Sequence, residues 1–93
     1  MQILISYEVD SKQSAVRDIM KLKGYEETLI KGEVAFRLPS ATLWKEDVTP
    51  SQAMEDLKKV ARALDIQLLG ASAIEFTDWE SVQKELNKGD QEE

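Results

Sequence analysis

From Gln2 to Val9 the side chains alternate, with Ile3, Ile5, Tyr7 and Val9 on one face and Leu4, Ser6 and Glu8 on the other. Period two with β-branched residues specifies a strand, and the apolar Leu4 on the second face makes it a central one. A central strand needs neighbours on both of its sides. A pure helical bundle is therefore excluded.

The next segment is helical. Asp10 stands at an N-cap position with Gln13 three residues on, and Ala15, Val16, Ile19, Met20 and Leu22 recur at helical spacing before Gly24 supplies a left-handed stop. Tyr25–Ile30, Val34–Leu38 and Ala41–Trp44 are extended stretches, broken by Lys31-Gly32-Glu33 and by Pro39, and they amount to two strands or three short ones. Thr49-Pro50-Ser51-Gln52 is the strongest local signal, combining a Thr cap, Pro at the first helical position and Gln at the capping-box position. Ala53, Met54, Leu57, Val60, Ala61 and Leu64 then form one apolar face, and Asp65 closes the helix. Leu68–Thr77 is the last strand, with Leu68, Gly70, Ser72, Ile74 and Phe76 on one face and small residues at 70–73 suggesting a close approach. Thr77-Asp78-Trp79-Glu80 starts a short third helix whose stripe is Trp79, Val82 and Leu86.

This order predicts an α+β fold, the ferredoxin-like βαββαβ plait: an antiparallel sheet with two helices on one face and the first and last strands in the middle. One domain spans 1–88, and 89–93 form a frayed acidic tail. The helix-free sheet face needs a partner, a long loop or the C-terminal helix to cover it, and a homodimer through this face or an edge strand is expected.

Composition narrows the chemistry. Among 93 residues there is no Cys and no His, which excludes thiolate nucleophiles, zinc–thiolate sites and imidazole bases. No long apolar run or basic leader is present, so the sequence predicts a cytoplasmic protein without a membrane partner. Net charge is −6, and residues 75–93 carry −5 of it, from Glu75, Asp78, Glu80, Glu85, Asp90, Glu92 and Glu93 against Lys84 and Lys88. The rest of the chain is nearly neutral, so RNA would have to be held by local cations rather than by overall charge.

Two short segments resemble known families. Ile5-Ser6-Tyr7-Glu8-Val9-Asp10 is similar to the first strand of the small CRISPR-associated endonucleases with a ferredoxin-like fold. Phe36-Arg37-Leu38-Pro39-Ser40-Ala41-Thr42-Leu43-Trp44, ahead of a Thr-Pro helix start, resembles the Leu-Pro-x-Ala-Thr-x-Trp pattern of small proteins grouped with the GhoS-type antitoxins. The resemblance spans about residues 1–77 and implies the plait, a regulatory role and endoribonuclease action on RNA. In the CRISPR-associated family the matching acid is an Asp that engages a divalent metal. Glu8 stands there in this chain, one methylene longer, and magnesium tolerates little change in ligand geometry.

Several residues are candidates for a site. Glu8 and Asp10, two apart on the first strand, are the candidates for a catalytic or metal-holding carboxylate pair; the structural alternative is a helix cap beside a solvated acid. Tyr7, Arg37, Trp44 and Lys45 are RNA-binding candidates for stacking and phosphate contact on the open face, against the alternative that the aromatics fill the core. Lys12, Arg17, Lys21 and Lys23 on the first helix, and Lys58, Lys59 and Arg62 on the second, read as solvated faces. Trp79, Val82 and Leu86 are partner-binding candidates or an intramolecular brace. The leading expectation is an antitoxin-like regulatory domain that binds RNA, with a divalent cation required only if it is a nuclease. The alternative is a non-enzymatic interaction module, such as a phage or accessory protein, acting through its acidic end.

Overall fold

The computed structural model describes residues 2–77. Seven elements run in the order β1 (Gln2–Val9), α1 (Gln13–Leu22), β2 (Thr28–Lys31), β3 (Val34–Arg37), β4 (Thr42–Glu46), α2 (Pro50–Leu64) and β5 (Leu68–Phe76). The expected third helix, with Trp79, Val82 and Leu86, lies outside the described residues, as does the tail.

The fold is α+β: a three-stranded antiparallel sheet in the order β4-β1-β5, with β2 and β3 paired in a separate two-stranded sheet. β1 is central, as its two-faced pattern required, and both neighbours run antiparallel to it. The last strand, expected beside it in the middle, is instead at the edge. The strand order differs from that of a four-stranded plait, and the reason lies in residues 25–37. Tyr25 turns into the core, Glu26 alone bridges to β4, donating to Trp44 O at 2.8 Å and accepting from Trp44 N at 3.0 Å, and the chain then leaves the sheet. Gly32, at φ 64°, reverses it so that Thr28–Lys31 pairs with Val34–Arg37. The backbone groups of β2 and β3 are thus satisfied by each other rather than by the outer edge of β4.

One face of the sheet is buried. Ile3, Ile5 and Tyr7 of β1 and Leu43 of β4 pack with Val16 and Met20 of α1, Tyr25, and Ala53, Leu57 and Val60 of α2. Burying a side chain of this kind contributes about 1.5–3 kcal/mol. The capping box at Thr49 forms as its residues imply, Thr49 Oγ1 accepting from Gln52 N at 3.1 Å and Thr49 N donating to Gln52 Oε1 at 3.0 Å. Gly24, at φ 102°, ends α1 and lets Tyr25 N reach back to Met20 O.

Three local expectations change. Leu22 extends the α1 pattern but is exposed, because the sheet ends before it. A bulge between Glu8 and Val9 pairs Val9 with Leu68 and leaves Leu69 extra, so Leu68 packs against the core while Gly70, Ser72, Ile74 and Phe76 face the other way. A Cβ on Gly70 would meet nothing within 4 Å, so this glycine does not mark a close approach, whereas Ala73 packs against the core.

Candidate functional site

Tyr7 is the inward-facing residue of β1 whose polar end has nowhere to go. The residue is 7% exposed, and its hydroxyl is buried with no hydrogen-bond partner. Burial pushes its pKa up, opposed in part by the positive charge of Arg17. A buried hydroxyl left unpaired costs about 1–3 kcal/mol, so its retention calls for an explanation.

Tyr7 forms part of the wall of a cavity of about 430 Å³ that no apolar core would leave. The first turn of α1 supplies a second wall. Gln13, Ser14 and Arg17 lie on one flank of the helix because they are three and four residues apart. The segment Arg37–Leu43 closes the third side, held to β1 by Tyr7 N donating to Ala41 O at 3.1 Å, with Ala41 in the left-handed region at φ 59°.

Charge in the cavity comes from Arg17, Arg37 and Glu27. Glu27 receives Lys21 Nζ at 3.0 Å and lies 3.7 Å from Arg37 Nη2, and these contacts, the Lys21 hydrogen bond first, hold its carboxyl below the usual glutamate range. Lys21 is the closer partner, which leaves Arg37, two-thirds exposed, able to turn to a ligand.

The start of α1 adds to this. Its N-cap, Lys12, is in the left-handed region at φ 57° and gives no side-chain cap, so Asp10 is not the cap that its position implied. The Asp10 carboxylate turns instead to the α2–β5 loop, where Oδ1 accepts from Gln67 N at 3.0 Å. The first-turn N–H groups of α1, beside the cavity, therefore lack the side-chain acceptor that helix starts usually have.

The other candidates are dispersed. Glu8 pairs with Gly70 and lies on the helix-free face, with Ser6 and Ser72. Asp10 stands just past the end of β1 and is occupied with Gln67. Among the described residues no group of three or more His, Cys, Asp or Glu could hold a metal ion, so this donor set does not fit a divalent-cation centre. Tyr7 and Arg37 are brought together, although on the helix-covered side and not the open face. Trp44 lies opposite Leu4 on the open face, half-buried, its Nε1 donating to Thr28 O at 2.7 Å. Lys45 donates to Lys23 O at 2.7 Å with its ammonium 5.2 Å from the Tyr25 ring centroid, so it stabilises the C-terminal end of α1.

Sequence reasoning missed Arg17, Ser14 and Glu27. The spacing of Gln13, Ser14 and Arg17 is visible in the sequence, but that this flank faces a cavity is not. Comparison with known proteins finds no matching family model, no matching curated protein and no matching solved structure.

Proposed function

We propose that this protein is a small regulatory domain that binds RNA, taking a phosphate in the cavity between Tyr7, Arg17 and Arg37. The observation that carries this reading is a cavity that brings two arginines, Arg17 and Arg37, together with Tyr7 and Ser14. Guanidinium recognises phosphate oxygens in a fixed fork, and its charge is undiminished at any physiological pH. The GhoS-like run Phe36–Trp44 supports the same reading, because Arg37 through Leu43 of that run line the cavity. On this reading the fold is a variant of the plait in which the outer strand is reduced to the Glu26 bridge. On this reading the protein acts by binding, and Glu8 and Asp10 have no catalytic role.

Fluorescence anisotropy with labelled single-stranded RNA, over a series of salt concentrations, tests it. Binding should weaken as salt rises, and Arg17→Ala and Arg37→Ala should each lower affinity and flatten the salt slope. Absence of RNA affinity in the folded wild-type protein overturns the reading and favours the protein-interaction module acting through the acidic C-terminal end.

A further inference from the structure

An internal phosphodiester sits in a chain that continues on both sides, so its site has to be open at two ends. Here the cavity is bounded by the first turn of α1, by Tyr7 and by the Arg37–Leu43 segment held to β1 through Ala41, and a group at the end of a chain can enter it.

The supply of donors points the same way. Arg17, Arg37, Tyr7 and Ser14 line one space, and α1, whose N-cap makes no side-chain hydrogen bond, begins beside it. A phosphodiester offers two free oxygens and a single negative charge. A phosphomonoester offers three and approaches two charges at neutral pH, with a second pKa of about 6. The dianion therefore uses more of the donors and interacts more strongly with the positive end of the helix. Glu27 sharpens the choice: with Lys21 as its nearer partner it still adds a negative charge at the rim, which an incoming group must outweigh to recruit Arg37. The volume, about 430 Å³, lies within the range of about 300–1,000 Å³ typical of sites for small ligands.

We infer that the cavity recognises a terminal phosphomonoester, the phosphorylated end of an RNA strand, and discriminates against an internal phosphodiester. The inference rests on the RNA-binding proposal and names the part of the RNA that the site takes. A free nucleoside monophosphate carries the same chemical group and is the other source of it.

The test uses the full chain and one short oligoribonucleotide with an internal fluorophore, prepared with a 5′-phosphate, with a 3′-phosphate, or with hydroxyls at both ends. Adenosine 5′-monophosphate and inorganic phosphate serve as competitors. One phosphorylated form should bind about tenfold or more tightly than the hydroxyl form, the effect of one or two charge-assisted hydrogen bonds. Arg17→Ala should reduce that difference by a larger factor than it reduces the hydroxyl form's affinity, and Arg17→Lys should restore part of it. Thermal melting of each variant separates a binding loss from a folding loss. Equal binding of all three oligonucleotides overturns end recognition and leaves the RNA reading standing. Binding of the monophosphate without any oligonucleotide binding overturns both and assigns the cavity to a free nucleotide. Absence of all binding by the folded wild-type protein also overturns both.

Discussion

Asp10 and Gln67 hold each other by two hydrogen bonds, Asp10 N donating to Gln67 O at 3.1 Å and Gln67 N donating to Asp10 Oδ1 at 3.0 Å. This pair ties the end of β1 to the loop between α2 and β5, across 57 positions of sequence. It also removes the carboxylate that would otherwise cap α1, so one contact both closes the sheet and leaves a helix terminus ready for an anion.

Asp10→Ala should destabilise the protein by about 0.5–1.5 kcal/mol, the usual worth of one hydrogen bond, because the backbone half of the pair survives. Asp10→Asn keeps an acceptor oxygen and should lose less. Urea unfolding midpoints with an unchanged slope would establish both values. An unchanged midpoint for Asp10→Ala would show that the side-chain bond contributes nothing in solution.

Tyr7→Phe should raise stability and lower RNA affinity together. The hydroxyl is buried without a partner in the free protein, so its removal relieves a cost of about 1–3 kcal/mol. For a domain of this size each kcal/mol corresponds to about 4–8 °C in Tm. Thermal melting and anisotropy on the same preparation check the two effects. A fall in Tm would mean that the hydroxyl is satisfied in the free protein.

Glu27 titrates below its ordinary value of 4.5, chiefly through the Lys21 hydrogen bond. A carboxylate depressed in the folded state contributes stability that is complete above about 4.5 and is lost as pH falls through the lower folded value. Glu27→Gln should therefore flatten the acid limb of the stability curve below pH 4.5, measured by urea unfolding at a series of pH values. It should also strengthen phosphate binding at neutral pH by removing a like charge from the rim. Weaker phosphate binding in this variant would show that Glu27 positions Arg37 instead of competing for it.

Tyr25 is 1% exposed and donates to Asp56 Oδ2 at 2.9 Å; burial first, then this bond, raise its pKa above the ordinary 10.0. The unfolded chain ionises first, so stability is complete below about pH 10 and falls as pH rises beyond it. Tyr25→Phe should be less stable at neutral pH by about 1.5–3 kcal/mol for a hydrogen bond to a charged group, and should show a shallower alkaline decline. Phenolate absorbance during titration locates the step. A wild-type protein in which both tyrosines ionise near their ordinary value of 10.0 while folded would remove the basis for this prediction.

The parts of the fold legible in the sequence are those in which a residue's role depends on its near neighbours along the chain. The alternation of Ile3, Ile5 and Tyr7 against Leu4 places β1 at the centre, and the Thr49-Pro50-Gln52 start and the apolar face from Ala53 to Leu64 define α2. Periodicity and capping act over one or two turns, so short windows contain their cause. Asp10 shows where that stops. By local spacing it is a cap, yet Gln67 offers a better-placed donor once β5 has paired with β1.

The candidate site lies almost wholly on the other side of that boundary. Residue type singles out Tyr7 and Arg37, but their pattern in sequence points to the open sheet face as their meeting place, and Arg17 reads as part of a solvated strip. The sequence by itself determined the central strand β1, the helix α2 with its capping box at Thr49, and the absence of Cys and His chemistry. Only the tertiary structure decided that β2 and β3 leave the sheet as a hairpin, that Tyr25 enters the core, and that positions 7, 13, 14, 17, 27 and 37–43 line one cavity. The physical reason is that strand pairing and burial are settled between segments far apart in the chain, by competition for hydrogen-bond partners and apolar surface that no local window contains.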